Sequence, residues 1–419
     1  MASTDLTRTH TVATANERKK HTFSAWIKLS HTGSTSNTFF SNRPSSSYRF
    51  YYMVMNSGGG GNTVPNAFYC YMVYNGSTML EASGTRKLRD VNGWYHIVVR
   101  TDTTQSNAAD RFRVYINGEQ DSVTLHHVPD QNEELQVNRD TTHYIGEEGN
   151  GNGQFDGSMS HIHFCDGYSY GPDSFGSTDS TTGEWKINTS PSVSYGTNGF
   201  FILKDGNSVT DQSGNSHNWT VNAGTLTKTE DCPSNVFTTY NAIQNLNDNN
   251  ALSNGNTTQK ETSTVGQRQA ICNIGGFTGK YYAEFKMINL GPQNGSSPYC
   301  GALSMSNYDN DTYLGNNGIA MHPGGNIYRS ASVIDNQTSI TYTTNSIVSV
   351  ALDITNNKCH FRVNGGTWLA SGDPANNTGG YDISSLNTGD GMTFASSVFN
   401  NNCQWSVNFG NGYFGTTAV

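Results

Sequence analysis

The sequence has few charged residues and no long apolar run. Charged side chains make up 14% of the 419 residues, well under the roughly 25% of an average soluble domain. No apolar run reaches about 18 residues, so the sequence predicts no membrane insertion. The N-terminal stretch lacks the apolar segment of a secretory signal, so we expect none. The net charge of −9 argues against a nucleic-acid partner.

Cysteine pairs with metal-ligand spacing are also lacking. The seven cysteines are scattered without any C-x-x-C motif. An odd, unclustered set in a long chain predicts reduced, mostly buried thiols, and it argues against a disulfide framework or a zinc site. These cysteines are Cys70, Cys165, Cys232, Cys272, Cys300, Cys359 and Cys403.

Helical periodicity is scarce, and what the chain has instead is aromatic residues and glycine. It contains 22 Tyr, 19 Phe, 6 Trp and 45 Gly. The aromatics recur in short phrases separated by Gly, Asn, Asp and Ser, which is typical of strands and turns. A folded, all-β protein is therefore predicted, and its length favours two domains.

Two stretches, 94–118 and 346–366, carry the same hairpin pattern. In "WYHIVVR", Ile97 and Val99 share one face while His96 takes the other, and "SIVSVALDI" alternates in the same way. Period two with one apolar face is typical of a half-buried antiparallel strand. Each stretch ends in Asn-Gly, the dipeptide of a tight turn.

The motifs of the first half resemble those of a laminin-G-like, concanavalin A-type sandwich. "HTFSAWIKLS", "NGWYHIVVRTDTT", "DRFRVYINGEQ" and "GQFDGSMSHIHF" follow in the order of that family. The resemblance spans about residues 20–225 and implies a two-sheet lectin-type fold.

The motifs of the second half, about 267–412, resemble those of a SPRY domain. They include "GKYYAEFKM", "SIVSVALDITNNKCHFRVNGG" and "CQWSVNFG". Tyr281 stands where that family often has Trp, a change that keeps the strand pattern. We therefore predict an all-β chain of two concanavalin-like antiparallel β-sandwiches of the jelly-roll type, with domains at 1–230 and 267–419 and a polar connector at 231–266.

The combination of both domains with "DCPSNVF" between them resembles virion structural proteins of marine tailed phages. The resemblance implies a bacteriophage structural protein without enzyme activity, used as a capsid decoration or a tail-fibre component. Other virion proteins, further copies of the chain and host-surface glycans are the expected partners. The expected location is the virion, assembled in the host cytoplasm. A carbohydrate-active enzyme and a cellular lectin or adhesin are the alternatives.

Catalytic motifs find little support. Retaining laminarinase-type hydrolases carry E-x-D-x-x-E on one strand, which brings two carboxyl groups about 5 Å apart. The one E-x-D here is Glu119 to Asp121, and Thr124 stands in place of the second glutamate. No G-x-S-x-G or phosphate-binding motif occurs. We therefore assign no catalytic residue.

Metal and cofactor sites are equally weak in the sequence. His161 and His163 share a strand face and are metal candidates, but we expect them to lie outside a core formed by their neighbours. His126 and His127 face opposite ways and are weaker candidates. For calcium, the oxygen donors in turn-rich segments are Asp156, Asp166 and Asp211. They form no dense acidic loop, so calcium stays open with no ligand named and no cofactor is predicted.

Two further clusters stand out. "RKLR", Arg86 to Arg89, is read as a solvated strand end and not as a phosphate patch. A set of aromatics is denser than one core face needs and suits glycan or protein contacts, because tyrosine offers flat area with a polar tip. Packing against another copy or another domain explains them equally well. The set is Tyr48, Phe50, Tyr51, Tyr52, Phe68, Tyr69, Tyr71 and Tyr74.

Overall fold

The chain divides into two compact units, of which the first comprises Met1–Lys228 and Cys232–Asn235 and the second comprises Thr229–Asp231 and Val236–Val419. No helix among the described residues is long and apolar enough to cross a membrane. The computed structural model describes residues 4–30, 36–55, 61–204, 206, 208–228, 231–244, 249–264, 266–291, 298–400, 402–410, 412–414 and 417–418.

The first unit contains an eight-stranded and a six-stranded antiparallel sheet, with a small hairpin beside them. The strands of the unit, in chain order, are β1 Asp5–Thr9, β2 Lys20–Leu29, β3 Asn37–Ser45, β4 Tyr48–Met55, β5 Ala67–Tyr74, β6 Ser77–Lys87, β7 Tyr95–Asp102, β8 Phe112–Ile116, β9 Glu119–Gln120, β10 Thr124–His127, β11 Thr142–Ile145, β12 Gly157–Asp166, β13 Gly176–Thr178, β14 Trp185–Ile187, β15 Phe200–Ile202 and β16 Thr220–Ala223. The larger sheet has the order β10-β6-β5-β4-β3-β11-β1-β16 and the smaller one β15-β12-β2-β7-β8-β9, while β13 and β14 pair with each other.

The core of the first unit lies between these two sheets. Phe40 on β3 packs 4.8 Å from Phe23 on β2 and 5.6 Å from Phe164 on β12, measured between ring centroids. Phe68 on β5 meets Phe112 on β8 at 6.3 Å in the same way. Because these aromatic residues alternate with outward-facing ones along their strands, each sheet buries one apolar face against the other. The unit is therefore a β-sandwich.

The outer surface of the six-stranded sheet is also covered, by a segment we call the strap, residues 168–197. Phe175 of the strap packs on Val98 and Cys165. The indole N–H of Trp185 donates to Nδ1 of His96 at 3.0 Å. The prediction that the outer face of β7 is solvated is therefore wrong, because a long stretch with little strand pattern of its own folds across it.

The second unit is built from a seven-stranded and a six-stranded antiparallel sheet. Its strands are β17 Asn250–Ser253, β18 Thr258–Glu261, β19 Gln267–Ile271, β20 Lys280–Asn289, β21 Tyr299–Ser304, β22 Ile319–Met321, β23 Asn326–Arg329, β24 Ser332–Asn336, β25 Ile347–Asp353, β26 Lys358–Val363, β27 Tyr381–Asp382, β28 Met392–Phe399, β29 Gln404–Asn408, β30 Tyr413–Phe414 and β31 Thr417–Ala418. The sheet orders are β17-β18-β29-β20-β25-β26-β27 and β19-β28-β21-β22-β23-β24, with β30 and β31 paired separately. Phe285, Val350 and Trp405 of the first sheet share one buried cluster with Cys300, Met321 and Val398 of the second. The predicted all-β fold of two antiparallel sandwiches is confirmed.

Helices are few and short in the described residues. They are α1 Ala15–Lys19, α2 Leu314–Asn317 and the 3₁₀ turns Ala108–Asp110, Pro172–Ser174 and Met305–Asn307. Thr14 begins α1 with a capping box, in which its side chain accepts from Glu17 N–H while the Glu17 carboxylate accepts from Thr14 N–H. Such reciprocal caps satisfy helix-end donors that would otherwise lack partners.

The stretch predicted as a connector, 231–266, contributes two strands to the second sandwich. β18 pairs with both β17 and β29. Inside the sheet, Gln259 donates to the Asn250 side chain at 2.9 Å and accepts from Ser396 Oγ at 2.6 Å. The segment reads as a polar loop in sequence because its buried side chains are amides that satisfy one another. The extent of the predicted connector is corrected accordingly.

The repeated Asn-Gly motif forms the same local structure in both units. Asn117 has φ 50° and Asn364 has φ 51°, each followed by a glycine with positive φ, which is the backbone of a type I′ turn. Asn117 N–H donates to His96 O, and its side chain accepts from His96 N–H. Asn364 makes the same two bonds with Ile347. The turn asparagine thus secures the adjacent strand in each sandwich.

Candidate functional site: the tyrosine face

The outer surface of the eight-stranded sheet carries a row of partly exposed tyrosines. Tyr51 on β4 lies directly across from Tyr71 on β5, and Tyr69 is two residues before Tyr71. The Tyr51 and Tyr71 rings are 5.8 Å apart and 29° from parallel, and the Tyr71 and Tyr69 rings are 6.4 Å apart and 9° from parallel. We call these three residues the tyrosine face.

Strand alternation explains why these residues point outward. Phe50 and Tyr52 flank Tyr51, and Phe68 and Cys70 flank Tyr69, and all four flanking side chains are buried in the core. Successive side chains of a strand point to opposite faces of the sheet. The core therefore fixes the orientation of the tyrosines.

Charged and amide groups border the tyrosine face. The guanidinium of Arg49 lies 5.3 Å from the Tyr71 ring centroid, within cation–π range. On the other side, Glu81 accepts from the Tyr69 hydroxyl at 2.8 Å and from the Asn62 amide at 3.1 Å. These groups give a ligand hydrogen-bonding partners beside a flat aromatic surface.

A second border is formed by the loop after β11. Glu148 of this loop forms an ion pair with Arg43 at 3.1 Å, and Ser41 on β3 donates to the Glu147 carbonyl. Gly149 has φ +83°, and an added Cβ would lie 2.9 Å from the Tyr144 ring. The loop therefore lies close against the sheet surface.

The hydroxyls of Tyr51 and Tyr69 stay protonated at neutral pH. Burial raises the pKa of Tyr51 to about 12. Burial and the hydrogen bond to Glu81 raise the pKa of Tyr69. Both residues remain neutral hydrogen-bond donors with an aromatic ring beside the hydroxyl.

The predicted aromatic set separates into three groups. Phe50, Tyr52 and Phe68 belong to the core. Tyr48 and Tyr74 meet edge to face at 5.2 Å, with the Arg139 guanidinium 4.2 Å from the Tyr74 ring. The third group is the tyrosine face. Sequence reasoning missed Arg49, Glu81 and Glu148, although the alternation in "YRFYYMVM" places Arg49 on the same face as Tyr51.

The candidate glycosidase residues do not come together. Asp121 is buried and accepts from the Thr85 hydroxyl at 2.7 Å and from the Thr85 and Arg86 backbone amides. Glu119 forms an exposed ion pair with Arg86. Thr124 lies on β10 in the other sheet. These contacts give both carboxylates a structural role.

The histidine candidates are buried or engaged with nearby groups. Phe201 stacks on His163 at 3.9 Å, and His163 Nδ1 is 2.9 Å from the Tyr195 hydroxyl. His161 Nδ1 is 2.7 Å from Ser160 Oγ. As expected, the two histidines lie outside the core that Ile162 and Phe164 enter, but Phe201 and the strap cover them, so that both residues are less than 5% exposed.

The other candidates are likewise used within the fold. His126 Nε2 is 3.1 Å from Ser83 Oγ, and His127 lies across from Glu81 at the edge of the eight-stranded sheet. The "RKLR" cluster is divided, since Arg86 pairs with Glu119 and Leu88 is buried. Over the described ranges, no group of three His, Cys, Asp or Glu side chains is arranged to hold a metal ion.

The three aspartates considered for calcium lie in separate hydrogen-bond networks. Asp211 accepts from the Phe201, Ser213 and His217 backbone amides. Asp166 is fully buried and accepts from Asn198 N–H at 2.8 Å. Asp156 N–H donates to the Asn37 side chain. Donors surround the first two carboxylates, whereas calcium requires converging oxygen acceptors.

The thiols match the sequence-based expectation. All seven cysteines lie within the described residues, and none is paired in a disulfide. Six are buried and Cys232 is partly exposed. Burial raises the pKa of Cys403 to about 12 and also raises that of Cys165.

Comparison with known proteins supports the fold of the first unit. Residues 3–168 match a laminin-G-type family model described as the concanavalin A-like lectin/glucanase superfamily. A comparison with curated proteins gave no match. The match covers less than half of the chain, and it supports a concanavalin A-like fold for the first unit without indicating an activity.

Solved structures with similar folds include three of different kinds. The SPRY domain of human HERC1 is 11% identical over 37% of this chain and 89% of its own, with a TM-score of 0.30. A heptameric SAP-like pentraxin from Limulus polyphemus is 15% identical over 40% of this chain and 72% of its own, with a TM-score of 0.28. The Ruminococcus gnavus IT-sialidase CBM40 bound to α2,3-sialyllactose is 12% identical over 37% of this chain and 79% of its own, with a TM-score of 0.26. At such scores these likenesses carry no conclusion about ligands.

Proposed function

We propose that this chain is a non-enzymatic structural protein of a phage particle, and that its first sandwich binds host-surface glycans on the tyrosine face. The observation that carries the proposal is the row of Tyr51, Tyr71 and Tyr69, aligned across two strands and bordered by hydrogen-bonding groups. A concanavalin A-like lectin/glucanase fold over residues 3–168 supports a carbohydrate ligand.

The chemistry of the tyrosine face suits a neutral sugar. An aromatic ring buries the apolar C–H surface of a pyranose, while hydroxyl, amide and carboxylate groups beside it meet the sugar hydroxyls. Glu81 and Asn62 stand next to Tyr69, and Arg49 stands next to Tyr71. The rings are already held in place by strand pairing, so little ordering cost accompanies binding.

A role without catalysis is supported by the use of the acidic side chains. Asp121 holds backbone amides of the β6 end, and Glu119 holds Arg86. Incubating the purified chain with algal and bacterial polysaccharides tests this point, with release of reducing ends as the readout. Turnover of any of these polysaccharides overturns the non-enzymatic assignment.

The particle context is supported by the order of the two domain types and the connector motif. On symmetry grounds, many copies are expected on a capsid surface, tail or fibre. Antibody labelling of particles, observed by electron microscopy, tests the location. Labelled particles support the proposal, and particles without label overturn it in favour of a cellular lectin.

The glycan site is tested with immobilised neutral oligosaccharides of glucose, mannose and galactose. Tyr71→Ala removes the central ring and is expected to weaken binding about tenfold, corresponding to about 1.5 kcal/mol. Tyr71→Phe keeps the ring and is expected to bind nearly as well. The matched control is Tyr168→Ala, because Tyr168 is 42% exposed and lies outside the tyrosine face.

The outcomes separate binding from folding. An unchanged thermal midpoint for Tyr71→Ala, together with lost binding, supports the site. Equal losses for the Tyr71 and Tyr168 variants contradict it, as does full binding by Tyr71→Ala.

A further inference from the structure

The outer surface of the seven-stranded sheet in the second sandwich has a local excess of positive charge. β20, β25 and β26 together carry four cations and two carboxylates, in a chain whose net charge is −9. The cations, Lys280, Lys286, Lys358 and Arg362, alternate with core residues and therefore point outward. We call this surface, with Tyr282 and Trp368, the cationic face.

Both carboxylates on these strands already have partners. Glu284 accepts from the Tyr282 hydroxyl at 2.6 Å. Asp353 accepts from the Asn356 side chain at 2.9 Å and lies 3.6 Å from Lys280 Nζ. Lys358 lies directly across from Asp353 in the strand register. The two carboxylates therefore offset only part of the positive charge of the four cations.

Arg362 is held in a fixed orientation at the centre of the cationic face. Its guanidinium carbon lies 4.6 Å from the Trp368 ring centroid, and Nη2 donates to the Tyr282 hydroxyl at 3.3 Å. The strand between Tyr282 and Arg362 carries the small residues Ser349 and Ala351. These small side chains let the two long ones meet above the sheet.

A guanidinium fixed against an aromatic ring is suited to a planar anion. Arginine presents paired donors in a rigid fork that matches a carboxylate, and fixing the fork in advance lowers the entropy lost on binding. Tyr282 is 45% exposed. Its ring and that of Trp368 therefore offer flat contact surface beside the cation, as a sugar ring requires.

The opposite sheet of the second sandwich does not offer a comparable surface. Around α2, Leu314 packs with Tyr299 and Leu303 in a separate apolar cluster, with Tyr313 and Tyr328 against it. The segment carrying α2 thus occupies the outside of the six-stranded sheet, much as the strap does in the first sandwich.

We propose that the cationic face binds an acidic polysaccharide of the polyuronate class. Arg362 meets a uronate carboxylate, the lysines attract neighbouring carboxylates, and Tyr282 and Trp368 contact the sugar rings. An acidic peptide would satisfy the charges but would leave both rings without a matching flat partner. This site is separate from the tyrosine face in position and ligand charge, and it does not depend on glycan binding there.

The test is equilibrium binding of the full-length chain to polygalacturonate, with neutral dextran and poly-L-glutamate as comparison probes. Binding to polygalacturonate is expected to weaken with added salt, because exposed charges are screened. Arg362→Gln is expected to weaken it about tenfold, the effect of losing a charge-assisted bidentate contact. Arg362→Lys keeps the charge, loses the fork and is expected to fall between Arg362→Gln and the unaltered chain.

The matched control is Arg329→Gln on β23, which removes the same charge from the other sheet of the same sandwich. Unchanged binding by this variant, and by Tyr71→Ala, supports a site at the cationic face. Loss of polygalacturonate binding in Tyr71→Ala overturns that location. Equal weakening by the Arg329 and Arg362 variants, or equal binding of dextran, overturns the proposed recognition. Equal binding of poly-L-glutamate shows that charge alone acts and overturns the polysaccharide class.

Discussion

Mild acid is expected to destabilise the first sandwich, because it contains buried histidines that the fold holds neutral. Burial lowers the pKa of His21, His96 and His143 to about 3. It also lowers the pKa of His10, which stacks on His143 with ring centroids 3.7 Å apart. An unfolded histidine has a pKa near ~6.5, so the unfolded chain binds more protons than the folded one below that value.

Burial is the main reason why these rings resist protonation, and in two of them the ring nitrogen that would take the second proton already accepts a hydrogen bond. His96 Nδ1 accepts from Trp185, and His96 Nε2 lies 2.9 Å from Ser24 Oγ. His143 Nε2 lies 3.1 Å from the Asn42 amide nitrogen, while its Nδ1 lies 2.9 Å from the Thr141 carbonyl oxygen. A second ring proton would have to replace an accepted hydrogen bond with a clash between two donors.

The size of the effect follows from the pKa differences. The stability that the neutral histidines contribute is fully present above about pH 6.5 and is lost as the pH falls towards about 3. At pH 5 the loss is about 2 kcal/mol for each ring. Asp166 acts in the opposite sense, because burial raises its pKa to about 7, and its protonation returns about 2–3 kcal/mol by the same pH. For His21, His96, His143 and Asp166 together the net loss is roughly 3 kcal/mol, or about 10 °C in the thermal midpoint of a unit of this size, and the lowered pKa values of His10 and His163 add to it.

Differential scanning calorimetry between about pH 7.5 and 5 measures this shift. His96→Gln is expected to reduce the loss of stability of the first sandwich between these pH values by about 2 kcal/mol, the contribution of one such ring. His127, which is exposed at the edge of the sheet, supplies the control variant His127→Gln, in which every buried histidine is kept. A first-sandwich midpoint that stays constant down to pH 5, or that moves equally in both histidine variants, would refute the reasoning.

Two further predictions concern single buried contacts. Asp121→Ala leaves the Thr85 amide and hydroxyl without their acceptor and is expected to cost the first sandwich about 2–3 kcal/mol in chemical unfolding; an unchanged denaturation midpoint would contradict it. Gly380 and Gly365 form a matched pair, since both have positive φ. An added Cβ at Gly380 would lie 2.4 Å from the His360 ring, whereas an added Cβ at Gly365 would meet nothing within 4 Å. Gly365→Ala is expected to cost about 1 kcal/mol and Gly380→Ala clearly more, and equal thermal midpoints for the two variants would contradict the steric argument.

The strands of this protein were largely predictable because their signals are local. The alternation of apolar and polar residues in 94–118 and 346–366 predicts two antiparallel strand pairs, each followed by an Asn-Gly turn. The structure contains both pairs. Asparagine tolerates positive φ, so the turn position can be read from sequence. The core side of each strand follows from the same alternation, as Phe50 and Tyr52 demonstrate.

The outer surfaces could not be predicted, because their state depends on distant segments. His163 and His96 appear solvated from strand alternation alone, yet Phe201 and the strap cover them. The connector was misjudged for a related reason, since Gln259 and Asn250 are polar in type but paired inside a sheet. Amide pairs of this kind satisfy buried polar groups without leaving an apolar pattern in the sequence.

The two candidate binding surfaces differ in charge although they are built in a similar way. In each sandwich the larger sheet keeps an arginine over an aromatic ring, Arg49 over Tyr71 and Arg362 over Trp368. Beside the first pair, the Glu81 carboxylate accepts a hydrogen bond from the Tyr69 hydroxyl. Such a carboxylate is suited to accept hydrogen bonds from sugar hydroxyls as well. Beside the second, lysines on the neighbouring strands outnumber the carboxylates. On the two proposals above, one domain would bind neutral sugars and the other acidic sugars, so that a single chain would contact a glycan layer of mixed charge.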